Sequence, residues 1–141
     1  PDMSDVSEFG YRNSSDLIVE GDAGDSLGKM METGKVTVKG DSDLNLANKM
    51  KGGEIEVKGN AKEIWDIRGG RIVVQGSVEN IYQVEGELTV KGDVERISGD
   101  EMLGRGGEIR VEGEIGSLNE EEIKGTEIYQ NQDGSWEQVF P

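Results

Sequence analysis

Apolar and polar residues alternate along this chain in short bursts, and each burst ends on glycine. The bursts read Leu17-Ile18-Val19-Glu20-Gly21, Val36-Thr37-Val38-Lys39-Gly40 and Ile55-Glu56-Val57-Lys58-Gly59. They continue as Ile72-Val73-Val74-Gln75-Gly76, Leu88-Thr89-Val90-Lys91-Gly92 and Ile109-Arg110-Val111-Glu112-Gly113. A seventh, incomplete copy is Glu127-Ile128-Tyr129-Gln130-Asn131, with Asn131 where the others carry glycine. Asn is the next most tolerant residue for positive φ. A second set of glycines, including Gly34, Gly52-Gly53, Gly69-Gly70, Gly86, Gly106-Gly107 and Gly125, precedes the bursts. Period-2 alternation between glycines predicts strands of about four residues. The β-branched and Leu positions form the buried face, and Lys, Glu, Thr, Gln and Arg the solvated one.

Two further apolar stations recur between the bursts. One runs through Ala23, Ser42, Ala61, Val78, Val94 and Ile115, followed by Leu27, Leu46, Trp65 or Ile64, Tyr82, Ile97 and Leu118. The other runs through Met30/Met31, Met50, Ile67, Val84, Met102/Leu103 and Ile123. Helical repeats need about 33 residues for two helices, and the leucine-rich consensus is absent. A coil that turns about three times and returns one rung higher satisfies all three stations, with rungs paired in parallel at ~4.8 Å. The prediction is an all-β chain forming a single right-handed parallel β-helix of about six to seven short rungs over residues 17–131. Residues 1–16 form an N-terminal tail or cap, and 132–141 a C-terminal tail that caps the solenoid or docks a partner. The glycines Gly21, Gly40, Gly59, Gly76, Gly92 and Gly113 are structural turn residues, needed for positive φ and close backbone approach. Both prolines, Pro1 and Pro141, lie at the ends, as a ladder on both sides of every inner rung requires. A meander of antiparallel hairpins would instead show turn chemistry such as Asn-Gly.

Composition narrows the chemistry. Among 141 residues there are no cysteines and no histidines. Disulfides, thiolate nucleophiles, Cys zinc sites and histidine-based acid–base couples are therefore excluded. Fifteen Lys plus Arg against thirty Asp plus Glu give a net charge of −15, which repels nucleic-acid backbones and anionic membranes. No apolar run reaches membrane-spanning length, and the first 16 residues are polar and acidic with no secretory signal. The expectation is a soluble cytoplasmic protein with no nucleic-acid or membrane partner.

Three motifs approach known chemistry. Asp41-Ser42-Asp43-Leu44-Asn45 begins like a calcium loop, yet Leu46 and Gly52 stand where Gly and Glu are required. Ser26-Leu27-Gly28-Lys29 matches S-x-x-K without the accompanying S-D-N and K-T-G. Gly34-Lys35 lacks the first glycine of a phosphate loop, and Gly104-Arg105-Gly106-Gly107 the third glycine of a dinucleotide fingerprint. Each reads as a solenoid corner. The outward Glu20, Glu56 and Glu112 read as a solvated face. No catalytic residue, cofactor site or metal site is expected.

The stretch from Gly21-Asp22-Ala23-Gly24-Asp25-Ser26-Leu27-Gly28 to Val36-Thr37-Val38-Lys39-Gly40-Asp41 resembles the GXGXG-type repeat. Ala47-Asn48-Lys49-Met50-Lys51-Gly52-Gly53 echoes it, and Met30 and Asn48 stand where that repeat usually carries glycine. The likeness spans about residues 17–130 and fades after Gly76. The repeat occurs in the C-terminal domain of the glutamate synthase large subunit and in an accessory chain of formylmethanofuran dehydrogenase. The resemblance implies a non-catalytic β-helix serving as a scaffold domain or accessory subunit beside catalytic chains. Trp136 and Phe140, two large aromatics in a polar tail, are the candidate interaction residues. The alternatives are a self-associating solenoid resembling bactofilins or septum-site regulators, and a carboxylate-based glycan-acting enzyme.

Overall fold

A computed structural model describes residues 16–99, 106–119, 123 and 125–140, and every regular element among them is a β-strand. Seven strands stack in parallel to form the main sheet: β1 (Leu17–Val19), β2 (Lys35–Val38), β3 (Glu54–Val57), β5 (Arg71–Val74), β7 (Glu87–Val90), β9 (Glu108–Val111) and β11 (Glu127–Gln132). A second parallel sheet holds β4 (Ala61–Ile67), β6 (Val78–Val84), β8 (Val94–Ser98) and β10 (Ile115–Leu118). The chain is a parallel β-solenoid. Among the described residues no helix is long and apolar enough to cross a membrane.

Register is uniform, so like stacks on like. Val36, Ile55, Ile72, Leu88, Ile109 and Ile128 form one inward column, and Val19, Val38, Val57, Val74, Val90 and Val111 form the next. All twelve are buried. The second sheet supplies a column of Ala61, Val78 and Val94, extended downward by bridges from Ala23 and Ser42. Beside it run Ile64, Ile81 and Ile97. The inward residues of this station are thus Ile64 and Ile81. Trp65 and Tyr82, the aromatic candidates for it, pair with each other on the outer face instead, and Trp65 is 43% exposed. Likewise Met31, not Met30, is buried in the first rung. Met102 and Leu103 lie outside the described residues.

The strand-end glycines owe their identity to crowding, not to φ. None of Gly21, Gly40, Gly59, Gly76, Gly92 or Gly113 takes a positive φ, and neither does Asn131. A Cβ on Gly59 would overlap the Asp41 carboxylate of the rung below and lie 2.7 Å from the Gly40 carbonyl oxygen. The same overlap recurs at Gly40, Gly76, Gly92 and Gly113, with Asp22, Asn60, Ser77 and Asp93 respectively. Those side chains are acceptors in a vertical ladder. The N–H groups of Asp41, Asn60, Ser77, Asp93 and Glu114 donate to Asp22 Oδ1 (2.7 Å), Asp41 Oδ1 (2.8 Å), Asn60 Oδ1 (2.8 Å), Ser77 Oγ (3.0 Å) and Asp93 Oδ1 (2.8 Å). One short polar residue per rung therefore satisfies the corner amide of the next, and glycine leaves it room. Among the glycines that bracket the strands, positive φ falls in the other set, as at Gly70 (φ 82°), where a Cβ would also meet the Gly53 carbonyl oxygen at 2.9 Å.

Rung length decides what the second face looks like. In the two 19-residue turns, residues 23–31 and 42–50 wind through three left-handed positions each: Ser26, Gly28 and Met30, then Asn45, Ala47 and Lys49. The next turn has 17 residues and runs as strand β4 with one left-handed residue, Asp66; in β6 the counterpart is Gln83. The glycine-rich stretch that sets the GXGXG-like repeat apart is thus the wound segment. Asn48 itself is not left-handed; its neighbours Ala47 and Lys49 are.

Relieving a left-handed φ of 59° at Lys49 by Lys49→Gly should stabilise the fold by about 0.5–1 kcal/mol. Ser42→Ala should add about 1 kcal/mol, because the buried Ser42 hydroxyl has no hydrogen-bond partner. Gly59→Ala should cost at least about 2 kcal/mol through overlap with the rung below. Urea titrations of the three variants check all three signs.

Candidate interaction surface

At the C-terminal end of the main sheet the chain reverses and adds one antiparallel strand. Strand β12 (Ser135–Phe140) pairs antiparallel with β11 across the two-residue turn Asp133-Gly134. Both turn residues have positive φ, 51° and 88°, as a type I′ hairpin turn requires. Asn131 Oδ1 accepts the Gly134 N–H at 2.9 Å and braces the turn. The register shifts beside Ile128. Phe140 faces Ile128 and packs against the core. Trp136, opposite Asn131, stays on the outer face and is 36% exposed. The two candidate residues therefore divide the work: Phe140 seals the core, and Trp136 faces outward.

Trp136 does not stand alone. The Arg110 guanidinium carbon lies 5.1 Å from the Tyr129 ring centroid and 5.4 Å from that of Trp136, a cation between two aromatic faces. Each such contact is worth about 0.5–1 kcal/mol at an exposed site. Arg110 also bonds the Glu108 carboxylate, which holds its pKa above the usual guanidinium range. The Tyr129 hydroxyl donates to Glu127 Oε2 at 2.9 Å, and this bond raises the phenol above its ordinary pKa. These contacts hold the arginine and both rings in one orientation on the sheet face.

Elsewhere on that face several carboxylates are paired. Lys39 Nζ lies 2.9 Å from Glu20, and Lys91 Nζ 3.1 Å from Glu112, each pair linking neighbouring rungs. Glu56 receives Lys58 at 3.1 Å and the Gln75 amide at 3.1 Å. Hydrogen bonds from Lys39 and Lys58 hold Glu20 and Glu56 below the usual carboxylate pKa. Depressed pKa values on lysine-paired carboxylates suit a charged scaffold surface and are the reverse of what a general acid needs. Exposed pairs of this kind contribute about 0–1 kcal/mol each.

The near-miss motifs do not converge. In the calcium-like stretch, Asp41 accepts the Asn60 N–H, Asp43 pairs with Lys62 at 3.5 Å, and Ser42 is buried in the core. Ser26 takes a left-handed φ in the first wound segment, where its N–H bonds the Leu44 carbonyl at 2.9 Å. Residue 104 of the dinucleotide-like glycines lies outside the described residues. Among the described residues no three acidic side chains gather into a cation-holding group.

What sequence reasoning missed here is the hairpin and the corner ladder. Asp133-Gly134 between alternating residues is a strong short-range hairpin signal. Asp22, Asp41, Asn60, Ser77 and Asp93 all directly follow a strand-end glycine, a phase visible in the repeat itself. No family model and no curated protein matches the chain.

Two outcomes test this surface. Removing residues 132–141 strips the antiparallel cover from β11, so the truncated chain should oligomerise or precipitate, read by light scattering; a stable monomer would contradict the capping role. Glu20 and Glu56 have folded pKa values below their unfolded ones. Their contribution is therefore full above about pH 4.5 and fades as pH falls through the lowered folded values. The slope of stability against pH between about 3 and 5 should be shallower in Glu56→Gln, by urea midpoints across that range.

Proposed function

We propose that the protein is a non-catalytic scaffold: a structural domain or accessory subunit of a multi-chain enzyme, of the oxidoreductase or amidotransferase kind in which GXGXG-type repeats occur. The observation that carries this reading is the outer face of the main sheet. Seven parallel strands at ~4.8 Å make a flat platform roughly 29 Å long. Several of its charged side chains are tied in pairs, and Trp136 stands braced by Arg110 at one end. A rigid, pre-ordered surface of this size loses little entropy when a partner docks. Left-handed φ at Gly28, Met30, Ala47 and Lys49 supports the resemblance, because that backbone is where such a repeat would favour glycine. The partner is a protein, and the net charge of −15 favours one with a basic docking face.

End-to-end self-association is the competing reading, and the reversed strand at the C-terminal end disfavours it. Strand β12 runs antiparallel on the last parallel strand. At the other end Val19, Leu27 and Met31 of the first rung are at most 1% exposed, while Ile18 beside them is 59% exposed.

Sedimentation at low and high salt separates the two. A scaffold awaiting its partner should remain a 15.3 kDa monomer at all concentrations, whereas salt- and concentration-dependent polymers would favour self-assembly. Affinity purification from the source cells should then recover a catalytic chain in stoichiometric amount, with at least tenfold less retained by Trp136→Ala (about 1.4 kcal/mol). Recovery that ignores this substitution would remove Trp136 from the docking surface.

A further inference from the structure

A second surface, on the opposite sheet, carries different chemistry. The outer face carries Trp65 and Tyr82 in one column, which ends at the buried Ser98, and Glu63, Asn80, Arg96 and Ser117 in the next. Tyr82, Arg96, Ser98, Ser117, Leu118 and Asn119 line an open cleft of about 510 Å³. Trp65 extends its aromatic wall by one rung, with ring centroids 6.4 Å apart in an edge-on pair with Tyr82. Among the described residues Arg96 makes no hydrogen bond or ion pair, although carboxylates outnumber cations two to one in this chain.

We propose that this cleft binds an acidic sugar, a pyranose ring carrying one carboxylate. The proposal is independent of the scaffold reading and concerns a different face. Three features select the ligand. The exposed Trp65 ring, met edge-on by Tyr82, offers a single flat apolar face suited to the C–H face of one pyranose. The remainder of the lining is rich in hydroxyl and amide groups, from Tyr82, Ser98, Ser117 and Asn119. Such groups pair with ring hydroxyls and would be left unsatisfied by an apolar guest. The single guanidinium presents a planar fork that matches one carboxylate in a bidentate pair. A phosphate dianion fits less well, because the field of a −15 protein opposes each added negative charge and one cation answers only one of them. The volume accommodates one or two sugar rings.

The test titrates methyl α-galacturonoside, one ring with one free carboxylate, into the full chain by calorimetry, with amide shifts of Ser98, Ser117 and Asn119 followed by nuclear magnetic resonance. Saturable binding centred on those amides is expected. The methyl ester of the same sugar, and Arg96→Gln with the free acid, should each bind at least tenfold more weakly. Arg96 is exposed, so Arg96→Gln should melt with the parent protein. Trp65→Phe should keep binding and Trp65→Ala should lose it. Absence of saturable binding in the millimolar range, shifts centred elsewhere, or equal binding by Arg96→Gln would overturn the assignment.

Discussion

Every residue in this fold's ladders sits about 4.8 Å above its own counterpart one turn earlier. That stacking is the constraint on which the rest depends. It makes columns out of a linear repeat: the valines of six bursts become one continuous strip of core. It also forces each corner to solve the same problem repeatedly, because a corner amide must find an acceptor on the neighbouring rung. The solution is a short polar side chain directly after a strand-end glycine, with the next rung's glycine leaving that acceptor space. Neither half works alone. A side chain at the glycine would displace the acceptor, and loss of the acceptor would leave a corner N–H unpaired.

The core is legible in the amino-acid sequence because its signal repeats. Six copies of apolar–x–Val–x–Gly at one phase specify parallel, in-register strands, and the inward columns follow from period-2 alternation alone. Backbone conformation is less legible. The repeat points to positive φ at the strand-end glycines, yet positive φ falls on residues such as Met30, Ala47 and Lys49 that carry no sign of it. A left-handed φ costs an ordinary residue only about 1–2 kcal/mol, so a well-paired ladder imposes it without selecting glycine. The aromatic pair misleads for a related reason. Trp65 adjoins Ile64, and Tyr82 adjoins Ile81, so size favours the aromatics while the strand turns the isoleucines inward. The interaction surface is half legible: Trp136 and Phe140 stand out as aromatics in a polar tail, but their assignment to opposite faces requires the hairpin.

Function follows from what the stacking leaves on the outside. A ladder places side chains at fixed intervals on flat faces, which suits recognition and support. The main sheet uses this order for lysine–carboxylate pairs and for an arginine clasped between two rings. The second sheet uses it to line a cleft with aromatic, hydroxyl and guanidinium groups. Both faces depend on the same register, and a slip of one residue would turn each outward column into the core.

The most direct test of that register is cross-strand nuclear Overhauser contact in the isotope-labelled protein. Parallel stacking predicts methyl contacts running Val38–Val57–Val74–Val90, with no short Hα–Hα contact between β3 and β5. Strong Hα–Hα contacts between those strands, or valine methyl pairs offset from this column, would contradict the solenoid and every surface built on it.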